Sequence, residues 1–362
     1  MASGFTYRDA GVDIEGKDPA LGGFLHWLGQ THGFPGAVGR PVLENGFYAA
    51  IHDLGNGLGV AISTDSVGTK MLVAESAGRY DTVGIDCVAI NANDILSVGA
   101  RPIALVDYLA VHHIDAAVLE RLGQSLYEGA RQAGIAIAGG ELAQVPEMIR
   151  GASPGHGVDL AGTCIGVVAL DRIIDGRAIA DGDVVVGLAS SGLHSNGYTL
   201  ARRVLLGPAG YSLDAYVPAL GCALADELLR PTAVYVPPVL DLLAAGVAIS
   251  GLAHISGGGL LNLLRFNTGC GFDLNGLPEP PAIFKLVAER GSVAAEEMCR
   301  VFNMGVGFCV VVRPAAVPAV IQTAGRHGLG AWPMGAARRG LRGRVVLAAL
   351  GLVGEGNAFR RG

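Results

Sequence analysis

The sequence is short of aromatic rings and of charge. Only 6% of its residues are aromatic and 16% charged, with acids and bases intermixed to a net charge of −6. No basic cluster carries interleaved aromatics, which argues against a nucleic-acid partner. Apolar runs are short as well: VVLAALGLV at 345–353 falls well below the ~20 residues of a membrane-spanning helix. No membrane contact is expected. The first residues, MASGFTYRDAGVD, lack the basic-then-apolar order of a secretory signal. Six cysteines, at 87, 164, 222, 270, 299 and 309, form no CxxC and lie mostly among apolar residues. They are expected to be reduced, structural thiols of a cytoplasmic protein. The nine histidines make no HExxH pattern, and adjacent His112 and His113 would point to opposite faces of a strand, which disfavours a zinc pair.

What is present is apolar and rich in turns. Half of the 362 residues are hydrophobic (51%) and 56 are glycine, a composition suited to a tightly packed α/β chain. The length accommodates two domains. GFYAAIHDLGNGLGVAIS (46–63) reads as a hairpin turning at Asn56-Gly57. Residues 81–100 have helical apolar spacing ending at Gly99, and 115–134 form an amphipathic helix from Asp115 to Gly134. RPIALVDYLAV, IAIAGGELAQ and VDLAGTCIGVVAL read as strands. A polar, turn-rich stretch at 171–183 marks a boundary. Beyond it come strand VVVGLAS, a helix from NGYTLARRVLL, helices over 223–246, a short helix after SGGG, strand VGFCVVV, helix PAAVPAVIQTAGRHG and a strand near AWPMG. Residues past 336 look like a ragged end. The expected fold is α/β (α+β type), two domains each with a mixed sheet and packed helices, spanning 1–172 and 173–345, with a tail at 346–362.

In the first half, acidic residues fall beside Gly or Asn at element ends. TDSVGTK (64–70) leaves a strand and packs Asp65, Ser66, Gly68, Thr69 and Lys70 into one short stretch. An ordinary turn accounts for it, since Asp, Ser and Gly are turn residues. So does a phosphate-and-metal site: a carboxylate for a hard cation, bare amides for phosphate oxygens, a lysine for residual charge. Asp86 and Asp94 share a helix with Asn91 and are ~80° apart around it, so both can look into one groove. The alternative for Asp86 is an exposed residue near the helix N-terminus, where it favours the dipole. Glu141 lies in GGE. Asp65, Asp94 and Glu141 are expected to meet in one cleft, and Asp65, Asp86 and Asp94 to hold Mg²⁺. GVDIEGKD (11–18) is a near miss for a P-loop; it offers Asp18 in place of Ser or Thr, follows no strand and is rejected. The second half adds SSGLHSNG (190–197), HISGGG (254–259) and FNMGVG (302–307), three small-residue loops at strand or helix ends, suited to anions.

YRDAGVDIEG, TDSVGTK, GIDCVAINANDILSVGARP, AGGELA, SSGLHSNGYTLAR, HISGGG and FNMGVG occur together, in this order, from about residue 7 to 335. In that ordered set the chain resembles the aminoimidazole ribonucleotide synthetase (phosphoribosylformylglycinamidine cyclo-ligase) family. That family belongs to a superfamily with selenide water dikinase, thiamine-phosphate kinase and a hydrogenase maturation factor. The resemblance implies a homodimer paired through N-terminal strands, with ATP near the interface. It implies a small-molecule ribonucleotide substrate, with ATP and Mg²⁺ used to phosphorylate a formyl amide oxygen before an internal nitrogen closes the imidazole ring. It further implies catalytic roles for Glu141, His194 and Lys70. ATP and phosphate contacts would come from Gly68, Thr69, Lys70, Asn91, Gly139 and Gly140, and from Ser195, Asn196, Gly257, Gly258 and Gly259. Asp13, His254 and Asn303 would contact substrate, and Asp65, Asp86 and Asp94 the metal.

The chain departs from the family pattern at several points. Ser66 stands where the family has Gly. Leu142-Ala143-Gln144-Val145-Pro146-Glu147 replaces Thr-Ala-Glu-Met-Pro-Gly, Arg101 replaces an acid, and Ala233 replaces an arginine. Two other readings therefore stand beside the cyclo-ligase: a divergent paralogue activating a different amide, and a nucleotide-binding protein without catalysis.

Overall fold

A computed structural model describes residues 4–12, 14–43, 46–207 and 210–362. The first half runs α1 (Ile14–Gln30), β1 (Ala50–Asp53), β2 (Leu58–Ser66), α2 (Met71–Ala77), α3 (Val83–Ser97), β3 (Arg101–Val111), α4 (Ala116–Ala133), β4 (Ala136–Gln144) and β5 (Val158–Ala169). Asn56 and Gly57 both take positive φ (54° and 75°), which matches the right-handed strand twist and closes the β1–β2 hairpin. Asp115 caps α4, its carboxylate accepting from Ala117 N and Val118 N, and Gly134 ends it with a left-handed φ of 67°.

These strands form one mixed sheet in the order β1-β2-β5-β3-β4, antiparallel except for the parallel β3–β4 pair. Helix α3 covers one face. Along β5 the even-numbered residues from Leu160 to Val168 are buried beneath it, while the odd-numbered ones are partly exposed. The opposite face is open, and apolar Leu58, Val106 and Tyr108 stand 44%, 40% and 46% exposed there.

The second half runs β6 (Val184–Ala189), α5 (Tyr198–Leu205), β7 (Tyr216–Val217), β8 (Cys222–Ala223), α6 (Leu224–Leu228), α7 (Val236–Ala244), β9 (Ile249–His254), β10 (Gly271–Leu274), α8 (Ala282–Gly291) and α9 (Ala295–Val301). It continues through β11 (Val306–Val312), α10 (Val317–Arg326), β12 (Ala331–Arg338), β13 (Arg344–Leu347), β14 (Leu352–Glu355) and β15 (Ala358–Arg361). Its main sheet has eight strands, β15-β14-β13-β10-β12-β6-β11-β9, with only β10–β13 parallel; β7 and β8 pair separately. The end expected to be ragged is thus part of the sheet. Val345, Leu347, Leu352 and Phe359 are buried, and the arginines and glycines that suggested disorder occupy the exposed alternate positions and the turns. Strands β9 and β10 and helix α1 were not anticipated from the pattern.

Helix α3 is the axis of the molecule. Every residue from Val83 to Ser97 except Asp94 is buried. Asp86, Asn93 and Ser97 recur at helical spacing on one face, and that face docks on the second half rather than opening to solvent. Asn93 donates to Ala233 O (2.9 Å) and accepts from Tyr235 N (3.0 Å); Ser97 Oγ accepts from His254 N (3.1 Å). One apolar core runs across this seam, from Val83 and Leu126 to Tyr198, Leu224 and Tyr235. Among the described residues no helix is long and apolar enough to cross a membrane.

Candidate active site

The TDSVGTK stretch divides in two. Asp65 and Ser66 end β2 exposed to solvent, with Ser66 N donating to Asp65 Oδ1 (2.8 Å). Gly68, also exposed, takes a φ of 67° and opens a single 3₁₀ turn, and Thr69 Oγ1 lies 3.0 Å from Thr199 Oγ1. Up to Thr69 the sequence presents a carboxylate, a hydroxyl and backbone amides together. Lys70 turns the other way and has no exposure.

Lys70 Nζ pairs with Asp86 Oδ2 at 2.7 Å and donates to His194 O and Arg230 O. Asp86 Oδ1 accepts from Ser195 Oγ (3.1 Å), Thr232 N (2.8 Å) and Thr232 Oγ1 (2.6 Å). Burial pushes the Lys70 ammonium down, and the Asp86 carboxylate works against that shift. This corrects two expectations. Lys70 does not face a nucleotide and Asp86 does not face a metal; each is the other's counter-ion in a dry seam, and Ser195 is spent on the same carboxylate. An unpaired charge there would carry a large desolvation cost, which is why the two occur together.

The remaining acids do not assemble into one cage. Asp94, 16% exposed, meets His254 Nδ1 at 2.8 Å and Ser63 Oγ at 3.4 Å. His254, expected at substrate, is therefore a buried partner of Asp94. Asn91 Nδ2 donates to Cys87 O and to Asp65 O (3.3 Å), and its Oδ1 is buried without a hydrogen-bond partner. The sheet register places Asp65, Gly162, Asp107 and Gly140 along one rung, all on the α3 side. Glu141 is one residue further along β4, in register with Tyr108, so strand alternation turns it to the open face. Glu141 and Asp65 thus leave opposite faces of one sheet, and within a single chain they do not share a cleft. Among the described residues no three His, Cys, Asp or Glu side chains are grouped to hold a metal ion.

Asp107 was not singled out in the sequence. Burial raises its carboxyl pKa, and a Cβ built on Gly140 would come 2.3 Å from its Oδ1, so glycine at 140 makes room for this side chain. Its single Asp inside the apolar strand RPIALVDYLAV was the available signal. Gly139 has open space around it on the exposed β4 edge.

A broad recess lies mainly in the second half. A cleft of about 720 Å³ is walled by the 257–258 glycines, Asn196 at the start of α5, Asn262 and Arg265 of the 3₁₀ helix Gly259–Arg265, and Arg300 of α9. Tyr7 and the turns at Gly343 and Gly356-Asn357 complete it. The Gly-rich loop has no room for side chains: Gly258 takes a φ of 108°, and a Cβ on Gly259 would come 2.2 Å from Cys299 O. Arg300 is neutralised by Glu297 (2.6 Å), and Glu297 also accepts from Tyr7 N (2.7 Å). Arg265 is exposed and stacks over Tyr48 with its guanidinium 4.8 Å from the ring centre, while Tyr48 Oη donates to Asn262 O. Asn262 is spent on its own loop, its Oδ1 accepting from Ser256 N and its Nδ2 donating to Gly257 O. The glycine backbone, the Asn196 carboxamide and an arginine braced on Tyr48 leave a surface suited to an anion. Arg265, Asn262 and Arg300 were missed because they follow the recognisable motif HISGGG or sit on an unremarkable helix.

Two further expected contacts face elsewhere. His194 is buried with a left-handed φ of 63°; its Nε2 accepts from Ser191 N (3.1 Å), and burial holds the imidazole well below its ordinary pKa and therefore neutral. Asn303 staples its own loop, donating to Gly192 O and accepting from Gly305 N, with no side-chain amide atom left over. His194 and Asn303 therefore lie buried beneath the loops; both amide atoms of Asn303 are taken up by backbone, whereas His194 Nδ1 has no hydrogen-bond partner among the described residues. Asp13 lies outside the described residues.

Comparison with known proteins agrees with this architecture. Residues 46–168 match the family model of the AIR synthase related protein N-terminal domain, and 180–348 match that of the C-terminal domain. The chain is 50% identical over 323 residues to the phosphoribosylformylglycinamidine cyclo-ligase of Thermococcus kodakarensis, covering 89% of this chain and 92% of the relative. It is 46% identical over 320 residues to that of Methanothermobacter thermautotrophicus, covering 88% and 91%. Among solved structures, the thiamine-monophosphate kinase of Stenotrophomonas maltophilia superposes with a TM-score of 0.59 at 20% identity, covering 85% of this chain and 91% of that one. PurL of T. maritima, complexed with ATP, superposes with a TM-score of 0.54 at 17% identity, covering 83% and 44%. These two likenesses show a shared fold.

Proposed function

The chain belongs to the AIR synthase related family, as its cyclo-ligase relatives do, and from that premise we propose the reaction it carries out. It is an ATP-dependent ligase. The γ-phosphoryl group of ATP is transferred to the formyl amide oxygen of formylglycinamidine ribonucleotide. An internal nitrogen then displaces phosphate and closes the ring, giving aminoimidazole ribonucleotide, ADP and phosphate. The observation that carries this reading is the 50% identity to a cyclo-ligase across 89% of the chain. An amide oxygen leaves poorly until phosphorylated, and phosphoryl transfer depends on positioning and charge neutralisation.

In this reading the cleft takes the ribonucleotide. Its phosphate rests on the 257–258 amides and Arg265, and Asn196 orients its polar end. Asp65, Gly68 and Thr69 form the nucleotide's phosphate end. Magnesium is usually held by one or two carboxylates with phosphate oxygens and water, so three clustered protein acids are not required. Asp65 fits that donor role by its exposure, with the unpartnered Asn91 Oδ1 close behind it. Bound there, the ion would neutralise charge on the phosphoryl group. The working unit is a homodimer paired through the open face of the first sheet, where Glu141 projects. Substrates and products are small soluble nucleotides, and the reaction belongs in the cytoplasm.

The departures from the family pattern favour this reading over a paralogue. Ser66, Arg101, Leu142 and Gln144 lie on the first sheet, and Ala233 offers only its backbone carbonyl to Asn93. None of the five is among the described residues that line the cleft. The test is to supply purified protein with ATP, Mg²⁺ and formylglycinamidine ribonucleotide. Equimolar aminoimidazole ribonucleotide, ADP and phosphate are expected. ADP release with some other amide, and none with this ribonucleotide, would select the paralogue instead.

A further inference from the structure

Residues past 348 lie beyond the matched family model, yet their last hairpin forms part of the cleft wall. β14 and β15 pair antiparallel from Leu352–Arg361 to Glu355–Ala358, with Gly356 at a φ of 58° in the turn. The hairpin is held from three sides. β14 pairs with β13, which joins the main sheet in parallel with β10. Gly354 lets Leu261 of the 3₁₀ helix press against the strand; a Cβ there would come 2.5 Å from Leu261 Cδ2. Arg361 Nε pairs with Glu296 at 2.8 Å, tying β15 to α9, the helix that also carries Arg300 into the cleft. So anchored, the turn places Asn357 on the wall of the cleft that Gly257, Gly258 and Arg265 also line.

We propose that the C-terminal hairpin is a specificity element of this chain, in which Asn357 contacts the ribose-phosphate end of the ribonucleotide and Arg361 positions the turn. This rests on the cyclo-ligase reading and assigns one end of its substrate to one loop. A carboxamide suits that place because it donates to phosphate or hydroxyl oxygens without adding charge. A carboxylate at the same point would repel the phosphate.

The test compares wild type with Asn357→Asp, Arg361→Ala and Arg361→Lys. Asn357→Asp is expected to raise KM for formylglycinamidine ribonucleotide about tenfold, the effect of ~1.4 kcal/mol, while KM for ATP and the Tm stay unchanged. Arg361→Ala is expected to raise the same KM with little change in kcat, and Arg361→Lys to restore it. An unchanged ribonucleotide KM in Asn357→Asp, or an equal rise for ATP, overturns the proposal. If the wild type fails to turn over this ribonucleotide, the cyclo-ligase reading has failed separately. Calorimetric titration with ribose 5-phosphate then decides the hairpin's role: weaker binding to Asn357→Asp than to wild type supports it, and equal binding, absence of binding included, overturns it.

Discussion

At the scale of single residues, the side chains that most invite a catalytic role are often the ones the fold needs. Lys70 follows a carboxylate and bare amides in TDSVGTK, a composition that suits phosphate, but its charge is consumed by Asp86 within a site of zero exposure. Replacing one member of such a pair strands the other in low dielectric and typically costs about 3–5 kcal/mol. Asp86→Ala should therefore lower the denaturation midpoint sharply. The double variant Lys70→Met/Asp86→Leu should recover part of that loss, because no charge is left unpaired, and should keep ATP-dependent turnover within several-fold of wild type. Steady-state kinetics beside urea unfolding reads both quantities. A well-folded double variant with turnover reduced more than about a hundredfold would return Lys70 to the phosphates.

At the scale of elements, what could be read from the sequence depended on whether local pattern decided the structure. Helices α3 and α4 and strands β2, β3, β5 and β11 carry periodic apolar residues bounded by Gly, Asn or Asp, and their chemistry is local. Strand β9 is six residues next to the HISGGG loop, and β13 to β15 are four residues each; a four-residue strand has too few alternations to stand out from turns. The face of α3 was legible as a polar stripe, but not as a seam, since its partners Thr232, Ala233, Tyr235 and His254 come from more than a hundred residues away. Glu141 was placed with Asp65 because the sequence shows both beside small residues, whereas the register that separates them arises only when β3 and β4 pair. If α3 is the axis of the molecule, its seam contacts should carry stability. Asn93→Ala would orphan Ala233 O and Tyr235 N in a buried setting, with an expected loss of about 2–4 kcal/mol. The urea midpoint should fall with an unchanged slope; an unchanged midpoint would show the seam to be held by apolar contacts alone.

At the scale of the whole molecule, the described residues cover the first sheet on one side only. Its open face carries Leu58, Val106 and Tyr108, roughly half exposed, with partly exposed Val60, Ile62, Ile165 and Val167 between them on the neighbouring strands. Strand β4 adds an exposed edge that is unpaired among the described residues. Natural proteins seldom leave a flat apolar face and a free edge together in solution, because both invite pairing with another chain. A second copy of this chain would cover both by a two-fold contact, and a stable contact of that kind buries on the order of 1,200–2,000 Å². Glu141 stands on that face, and Asp65 leaves the other side of the same sheet at the end of β2, so in the homodimer reading dimerisation and nucleotide binding should be coupled. Val106→Asp together with Tyr108→Arg places one charge of each sign on the face, both stranded if a partner covers it. Light scattering should then report a monomer with native circular dichroism, and ATP-dependent ring closure should fall by at least about tenfold. A monomer that retains full turnover would show that each chain holds a complete nucleotide site by itself. A dimer that persists would place the pairing surface elsewhere on the molecule.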